Sequence, residues 1–369
     1  MKIKLLYFDL YLPYLLNGDK VTIGGTAVEW KNWFHGFLNI GVDIELLTWE
    51  GAEKYIKKTH NINIRESYSL NKGIRFLRVL YYRLPALIKS IKNSQATHVI
   101  QQNGSWIAGL LAIITKLQRK SFILRIANDP DVNMWPSSAF SLRKKIGYWM
   151  AIKLSDFIFC QNNNQYDVLS KNYPRKNIHI LYNPIIIAKK DKGNFNNRSY
   201  VAWIGRFAPQ KNLPALLKIA ESLPNIEFKI VGQKTNSTRQ IDLVAIKKLK
   251  YLKNVELIDF IDRDNILEFL NHSKLLLNTS NHEGLSNTFL EALLVGTPIV
   301  TTSKVNPDNM IIEHKLGYVS DNHEEILENI NHINNDFDYE VFYDRSYLFV
   351  KQNFDSTNQA TQFIDYLQY

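Results

Sequence analysis

Along the chain, short apolar runs rich in Leu, Ile, Val and aromatic residues alternate with longer stretches whose apolar positions recur at helical spacing. In the first half the runs are IKLLYFDL, DIELLTW, THVIQQ, SFILRIA and DFIFCQ; in the second they are SYVAWIG, EFKIVG, VELIDF, KLLLNTS and PIVTT. Strands alternating with helical stretches predict parallel sheets covered by helices on both faces. The pattern breaks at LYNPI (Leu181–Ile185), where Asn-Pro precedes a polar Lys/Asp/Asn/Gly stretch that runs to Arg198. The expected architecture is α/β: two Rossmann-like domains, 1–183 and 184–349, facing a cleft at the carboxyl ends of their strands. The tail 350–369 is set apart as a helix with Phe354, Phe363, Ile364 and Leu367 on its apolar face.

One stretch concentrates candidate chemistry. KLLLNTS reads as a buried strand, and Asn281, His282, Glu283, Gly284 and Ser286 are turn or cap residues. In NTFLEALLV, Phe289, Leu290, Leu293 and Leu294 fall at helical spacing; Gly296 suits a C-cap, and Pro298 forbids continuation. This strand–loop–helix–strand unit opens its loop onto a helix N-terminus, where free N–H groups and the positive dipole end favour an anion. Glu283 lies in the loop and Glu291 about one turn into the helix, too differently placed to flank one bond as a carboxylate pair. Two acceptors beside an anion site suit a ligand bearing hydroxyls as well as phosphate, such as a nucleotide sugar.

Two further segments fit the same ligand. In WIGRFAPQKN a strand ends at Gly205, Arg206 follows at once, and Lys211 stands five residues on. Two cations at a strand's carboxyl end can straddle a diphosphate, the arginine bidentate and the lysine as a point charge; the other reading is two solvated loop cations. Gly24-Gly25 sits between the first strand and an amphipathic helix, where bare backbone can approach a phosphate closely, although any tight turn can carry such a pair.

Composition narrows the setting. The 369 residues hold 16 Gly, 11 Pro and one cysteine, Cys160, so no disulfide can form within the chain and a reducing cytosol fits. MKIKLLYFDLYLPYLL has Asp9 and Pro13 within its apolar part and reads as a first strand and not a signal peptide. No apolar run approaches a membrane span, so a soluble or peripheral protein is expected. The net charge of +10 is uneven: residues 1–184 carry 25 Lys+Arg against 12 Asp+Glu, and residues 185–369 carry 20 against 23. A first half at +13 calls for an anionic partner. Nucleic acid is not expected, because no recognition motif accompanies the charge. The segments Asn71–Ser94 and Leu142–Ser155 mix cations with Leu, Ile, Phe, Tyr and Trp, and read either as a surface lying on an anionic membrane or as helices with a cationic outer face.

The Gly-Gly loop, LYNPI, GRFAPQKN with FKIVG, and HEGLSNTFLEALLVGTPIVTT with its two glutamates separated by seven residues, in this order, resemble family four of the retaining GT-B glycosyltransferases over nearly the whole chain. The resemblance implies the GT-B fold, with the C-terminal helix crossing back to the first domain. It implies that Arg206 and Lys211 neutralise the donor diphosphate, that Glu283 meets the transferred sugar and that Glu291 binds the ribose. It also implies that Gly205, Gly284, Leu285, Ser286, Asn287 and Thr288 surround the donor, that Gly25 approaches the phosphates, and that VELIDFID lines the base. Ile261 stands where family members often have glycine. The implied reaction retains anomeric configuration and needs neither cofactor nor metal. Fixed cations and N–H groups stabilise the leaving diphosphate, and the acceptor attacks from the leaving-group side with its proton passing to the departing phosphate.

Asn128, Asp129 and Asp131 are candidate acceptor-side groups in RIANDPDVN, where many family members carry a histidine; the alternative is an Asx-type turn. Asp129-Pro-Asp131 is not expected to hold a metal. Asp262–Asp264 reads as a solvated turn capping NILEFLNHS. Trp106 and Trp135 are candidates for stacking on an acceptor sugar, the other tryptophans being core by default. The expected activity is hexosyl transfer from a nucleoside-diphosphate sugar to a lipid-linked or oligosaccharide acceptor in bacterial surface polysaccharide assembly, lipopolysaccharide or capsule. The expected place is the cytoplasm, peripheral on the inner face of the membrane. The alternative is a catalytically silent homologue that binds a partner.

Overall fold

The computed structural model describes residues 2–19, 24–56, 62–74, 77–102, 105–133, 141–187 and 195–368. The chain forms two compact units, Met1–Ile186 with Ser356–Tyr369, and Ile187–Asp355. The expected divisions at 183/184 and 349/350 fall a few residues earlier in the chain. LYNPI belongs to the first unit, where Leu181, Asn183 and Ile185 are buried.

In chain order the first unit comprises β1 (Lys4–Phe8), α1 (Leu12–Asn17), α2 (Gly25–Asn39), β2 (Asp43–Thr48), α3 (Ala52–Tyr55), β3 (Asn63–Glu66) and α4 (Leu84–Asn93). It continues with β4 (His98–Gln102), α5 (Trp106–Leu117), β5 (Ser121–Arg125), α6 (Asp129–Val132), α7 (Leu142–Leu154), β6 (Phe157–Cys160), α8 (Asn163–Asn172) and β7 (Asn177–Ile180). The described strands make one parallel sheet in the order β3-β2-β1-β4-β5-β6-β7. Its central strands are covered on both faces, which is why β1 and β5 read as largely apolar runs; all five residues of β4 are buried too, His98, Gln101 and Gln102 among them. The order reverses beside β1, the switch point at which such sheets open a crevice at their carboxyl ends.

A buried polar cluster closes that end of the sheet. Glu29 of α2 and Arg125 at the end of β5 form an ion pair with side chains 3% and 0% exposed. Arg125 also donates to the carbonyl of Leu181 (3.0 Å) and to Asn183 Oδ1 (2.8 Å). The second oxygen of Glu29 accepts from Gln102 Nε2 (2.8 Å) and Gln161 Nε2 (3.1 Å), while Trp33 Nε1 donates to the first (3.1 Å). Every lone pair that burial takes from water is thus given a protein donor, the condition under which a buried pair is tolerated.

The second unit comprises β8 (Tyr200–Ile204), α9 (Leu213–Ser222), β9 (Phe228–Val231), α10 (Gln240–Leu249), β10 (Val255–Ile258), α11 (Ile266–Asn271) and β11 (Ser273–Leu277). It continues with α12 (Asn287–Leu294), β12 (Ile299–Thr302), α13 (Met310–Glu313), β13 (Gly317–Ser320), α14 (His323–Asn335) and α15 (Tyr339–Phe354). Its described strands are again parallel, in the order β10-β9-β8-β11-β12-β13. Gly296 ends α12 at φ +70, where a Cβ would crowd Tyr343 Cδ2 at 2.8 Å.

The last helix, α16 (Ser356–Gln368), packs on α2 of the first unit, as expected. Phe363 meets the rings of Phe159 (4.6 Å), Phe37 (5.1 Å) and Trp33 (5.5 Å). Its approach requires Gly36, because a Cβ there would lie 2.0 Å from the carbonyl oxygen of Ser356. Ile364 and Leu367 share this face, but Phe354 does not: it ends α15 in the second unit, against Phe349. The start of a new helix at Ser356 breaks the continuous apolar face read from sequence. Among the described residues, no helix is long and apolar enough to cross a membrane.

Breaking the buried pair from one side leaves an uncompensated charge. Arg125→Met is expected to destabilise the first unit by about 3–5 kcal/mol. Chemical denaturation monitored by tryptophan fluorescence would measure this, and a loss below 1 kcal/mol would contradict the closed network.

Candidate functional site

In the second unit the expected residues gather beyond the carboxyl ends of β8 and β11. After β8 the chain runs through Gly205 and Arg206 into a single 3₁₀ turn, Pro209–Lys211. Asn212, left-handed at φ 51, turns it into α9. This geometry sends Lys211 back across Gly205, where a Cβ would stand 3.1 Å from Lys211 Cε and from Trp203 Cη2. Gly232, ending β9, is bare for a harder reason: a Cβ there would lie 2.2 Å from the Gly205 carbonyl oxygen and 2.6 Å from Phe207 Cε1.

Lys211 Nζ reaches Glu283 Oε1 at 2.6 Å, and the two side chains are 16% and 11% exposed. Ser280 Oγ donates to the same oxygen (2.7 Å) and Gln210 Nε2 to Oε2 (3.1 Å). Gln210 Nε2 also holds the carbonyl of His282 (2.8 Å), so the loop after β11 is tied to the loop after β8 by side chain and main chain together. Asn281 N donates to the Gln210 carbonyl (2.8 Å), and Thr279 Oγ1 to that of Lys211 (2.7 Å). The carboxylate of Glu283 is consequently fixed in place. Arg206, by contrast, is exposed, and its guanidinium has no partner among the described residues.

The chain then enters α12. Gly284 and Leu285 are buried, Ser286 is the N-cap, and its hydroxyl bonds to that of Thr288 (2.8 Å) and not to the backbone of the first turn. Asn287 begins the helix. One turn in, Glu291 is only 5% exposed. Arg263, just beyond β10, donates to its Oε1, whereas Oε2 is buried without a hydrogen-bond partner among the described residues. Burial pushes the Glu291 carboxyl above the ordinary carboxylate range, and Arg263 opposes that rise through charge and hydrogen bond. Asp262 and Asp264 are exposed, as the expected solvated turn requires, and Asp262 stands at the N-cap of the 3₁₀ turn that runs into α11, but without a side-chain cap bond; Arg263 between them turns inward to Glu291.

The remaining expected residues lie in the first unit. Gly25 opens α2 behind an extended Gly24, at which a Cβ would meet nothing within 4 Å. Asn128 is exposed and precedes α6 without a side-chain cap bond. Asp129 Oδ1 accepts from Asn162 Nδ2 (2.9 Å) and Gln165 Nε2 (2.8 Å), which ties it to the start of α8, and Asp131 is buried. Trp135 lies outside the described residues. Gln210, Ser280 and Arg263 were missed in the sequence. For Arg263 the signal was there: an arginine beyond a strand's carboxyl end, in a unit whose apolar helix α12 buries a glutamate. Among the described residues no three His, Cys, Asp or Glu side chains converge on a point that could hold a metal ion.

Residues 185–341 match the family Glycosyl transferases group 1. A poly(ribitol-phosphate) alpha-N-acetylglucosaminyltransferase of Staphylococcus aureus is 24% identical over 282 residues, 74% of this chain and 56% of that protein, so the chain spans little more than half of that relative's length. Among solved structures, Anabaena HepE in complex with UDP and glucose superposes with a TM-score of 0.77 at 16% identity, covering 99% of each chain. The lipopolysaccharide outer core galactosyltransferase WaaB in its apo form superposes at 0.65, with 15% identity and 99% of each chain covered. Identities this low establish the shared fold.

The two glycines separate packing from permissiveness. Gly232→Ala is expected to cost about 1–3 kcal/mol, the usual range for overpacking a filled site, because its Cβ would meet backbone. Gly24→Ala, facing open space, should stay within about 0.5 kcal/mol of the parent. Thermal denaturation of both variants would check the contrast, and equal losses would contradict it.

Proposed function

We propose, from the premise that this chain belongs to the glycosyl transferases group 1 and has the GT-B fold, that it moves a hexose from a nucleoside-diphosphate sugar onto a glycan acceptor of a bacterial surface polysaccharide. The observation that carries the reading is Glu291. Its Oε2 is buried, has no partner among the described residues, and lies one turn into a helix whose N-terminus favours phosphate. A buried acceptor is costly to leave unpaired, and a ribose hydroxyl would supply its missing donor.

The other residues then take roles by their chemistry. Arg206 offers a free guanidinium for bidentate contact with the diphosphate. Lys211 gives one of its three N–H donors to Glu283 and keeps the rest for phosphate oxygens. Glu283, locked by Lys211, Ser280 and Gln210, presents a fixed anion to the transferred sugar, whose hydroxyls and developing oxocarbenium charge it stabilises. Gly205, Gly284, Leu285, Ser286, Asn287 and Thr288 form the surrounding wall, with the first turn of α12 directed at phosphate. As the glycosidic bond breaks, negative charge moves onto the departing diphosphate, and Arg206 and Lys211 stabilise it without a metal. The acceptor hydroxyl attacks from the same side, its proton passes to the leaving phosphate oxygen, and anomeric configuration is retained. In the first unit Asn128, Asp129 and Asp131 serve the acceptor.

Two relatives support the acceptor class: one is a poly(ribitol-phosphate) alpha-N-acetylglucosaminyltransferase and one a lipopolysaccharide outer core galactosyltransferase. A lipid-linked acceptor would put this enzyme at the cytoplasmic face of the cell membrane as a peripheral protein. Solved structures of HepE hold UDP and UDP-glucose, so UDP-sugars are the first donors to screen, with nucleoside diphosphate release as the readout.

Arg206→Ala and Lys211→Ala should each lower kcat/KM by about 2–4 kcal/mol of transition-state stabilisation. Glu283→Ala should abolish transfer with the fold intact, and Glu291→Ala should weaken nucleotide binding by roughly tenfold or more. Turnover of Glu283→Ala near the parent's, or unchanged affinity of Glu291→Ala for the free nucleotide, would refute these roles. Activity should persist in excess chelator, whereas complete, metal-reversible loss would refute the metal-free mechanism.

A further inference from the structure

A second feature of the first unit has no part in sugar transfer as described. Helices α5 and α7 touch backbone to backbone: a Cβ on Gly109 would lie 2.2 Å from the Gly147 carbonyl oxygen, and one on Gly147 would lie 2.4 Å from Trp106 Cα. Side chains on either side of this contact are forced to splay. They leave an open groove of about 490 Å³ lined by Trp106, Leu110, Ile113, Leu142, Ile146 and Met150. The groove is within the roughly 300–1,000 Å³ range of ligand sites and, unlike most, has almost no polar lining. Its rim continues as exposed apolar surface: Leu142 is 64% exposed, Ile146 43%, Trp149 42% and Leu117 78%. Gln118, next to Leu117, donates to the carbonyl of Ile88, so the patch runs on to α4, where Ile88 is also exposed.

Charge identifies the occupant. From Ser67 to Ser155 the sequence holds 14 Lys and Arg and only two acidic residues, Asp129 and Asp131. Neither α4, α5 nor α7 contains an Asp or Glu. Arg143 lies over the Trp106 ring at 3.8 Å, at the edge of the groove, and Lys153 is exposed farther along α7, whereas Lys116 at the end of α5 is paired with Asp156 (2.7 Å). A ligand that matches both features is an amphiphile with an apolar chain and an anionic head. We propose that this groove takes the acyl chain of an anionic membrane phospholipid, with the head-group phosphate held by the cations around it, and that the first unit lies on a bilayer through this face. The inference rests on the membrane-borne acceptor proposed above for its purpose, but not for its geometry.

The test reads lipid and not sugar, so its failure is distinct from failure of the transferase reading. The full chain is mixed with phosphatidylcholine vesicles with and without phosphatidylglycerol, at low and high salt, and co-sedimentation is measured. Binding is expected only with phosphatidylglycerol and should fall with salt. Phosphatidylglycerol brominated on its acyl chains should quench tryptophan fluorescence, and Trp106→Phe with Trp149→Phe should remove that quenching. Leu142→Ser with Ile146→Ser, both exposed and expected to leave melting unchanged, should weaken vesicle binding at least about tenfold. Arg143→Glu with Lys153→Glu should weaken it comparably at low salt. Equal binding to both vesicle types would overturn the proposal. So would binding without quenching that ignores Leu142→Ser and Ile146→Ser. A chain that ignores vesicles but dimerises through these two residues would assign the groove to a second copy and overturn it equally.

Discussion

A parallel strand covered by helices on both faces has no place for a charge along its length, and its polar chemistry must collect at its ends. Both units obey this constraint. In the first, Glu29, Gln102, Arg125, Gln161 and Asn183 meet at or beyond the carboxyl ends of β4, β5 and β6 and are consumed by one another. In the second, Arg206, Lys211, Arg263 and Glu283 follow β8, β10 and β11. There the bonding is incomplete: a guanidinium and one buried carboxylate oxygen remain without partners among the described residues. The closed cluster holds a unit together, and the open one has capacity left for a ligand. The same topology therefore yields one polar cluster that is closed and one that is left open, according to whether the donors and acceptors balance.

Glycine sets the close approaches on which both depend. Gly205 and Gly232 let the loops after β8 and β9 pass within backbone contact, which carries Lys211 across to Glu283. Gly36 lets α16 settle on α2 and so returns the end of the chain to the first unit. Gly109 and Gly147 bring α5 and α7 so near that their larger neighbours stand apart, and a groove follows from that geometry. At each of these contacts a side chain would meet backbone atoms or a packed ring.

Electrostatics divides the labour between the units. The first half of the chain carries the excess positive charge, yet the buried Arg125 is neutralised internally, so the field outside comes from helix surfaces without acidic residues. The second half is slightly acidic overall, and Arg206 and Lys211 are among its cations that follow a strand's carboxyl end. The two proposed roles use this division, a negative donor drawn to a local site and a negative surface facing the wider outer face of the first unit.

The sequence alone determined the alternation of strand and helix, because short apolar runs such as KLLLNTS, bounded by turn residues, have the length and flanks of strands buried on both sides. It gave the last helix an apolar face through Phe363, whose return to the first unit the family resemblance implied, and it singled out Arg206, Lys211, Glu283 and Glu291, which stand beside glycines and strand ends in a spacing that resembles a known family. It did not disclose β3, β7 and β13, since all three lie at sheet edges, where one side is open and NIRE, NIHI and GYVS keep polar residues. Nor did it show that Phe354 ends one helix while Phe363 belongs to the next. The partners of the glutamates were equally hidden: Gln210 and Ser280 on Glu283, Arg263 on Glu291, and Glu29 on Arg125, 96 positions away. Periodicity records which face of an element is apolar, a local property of neighbouring residues. Which polar groups pair at the strand ends depends on loops that converge from distant parts of the chain, and only the folded structure brings those together.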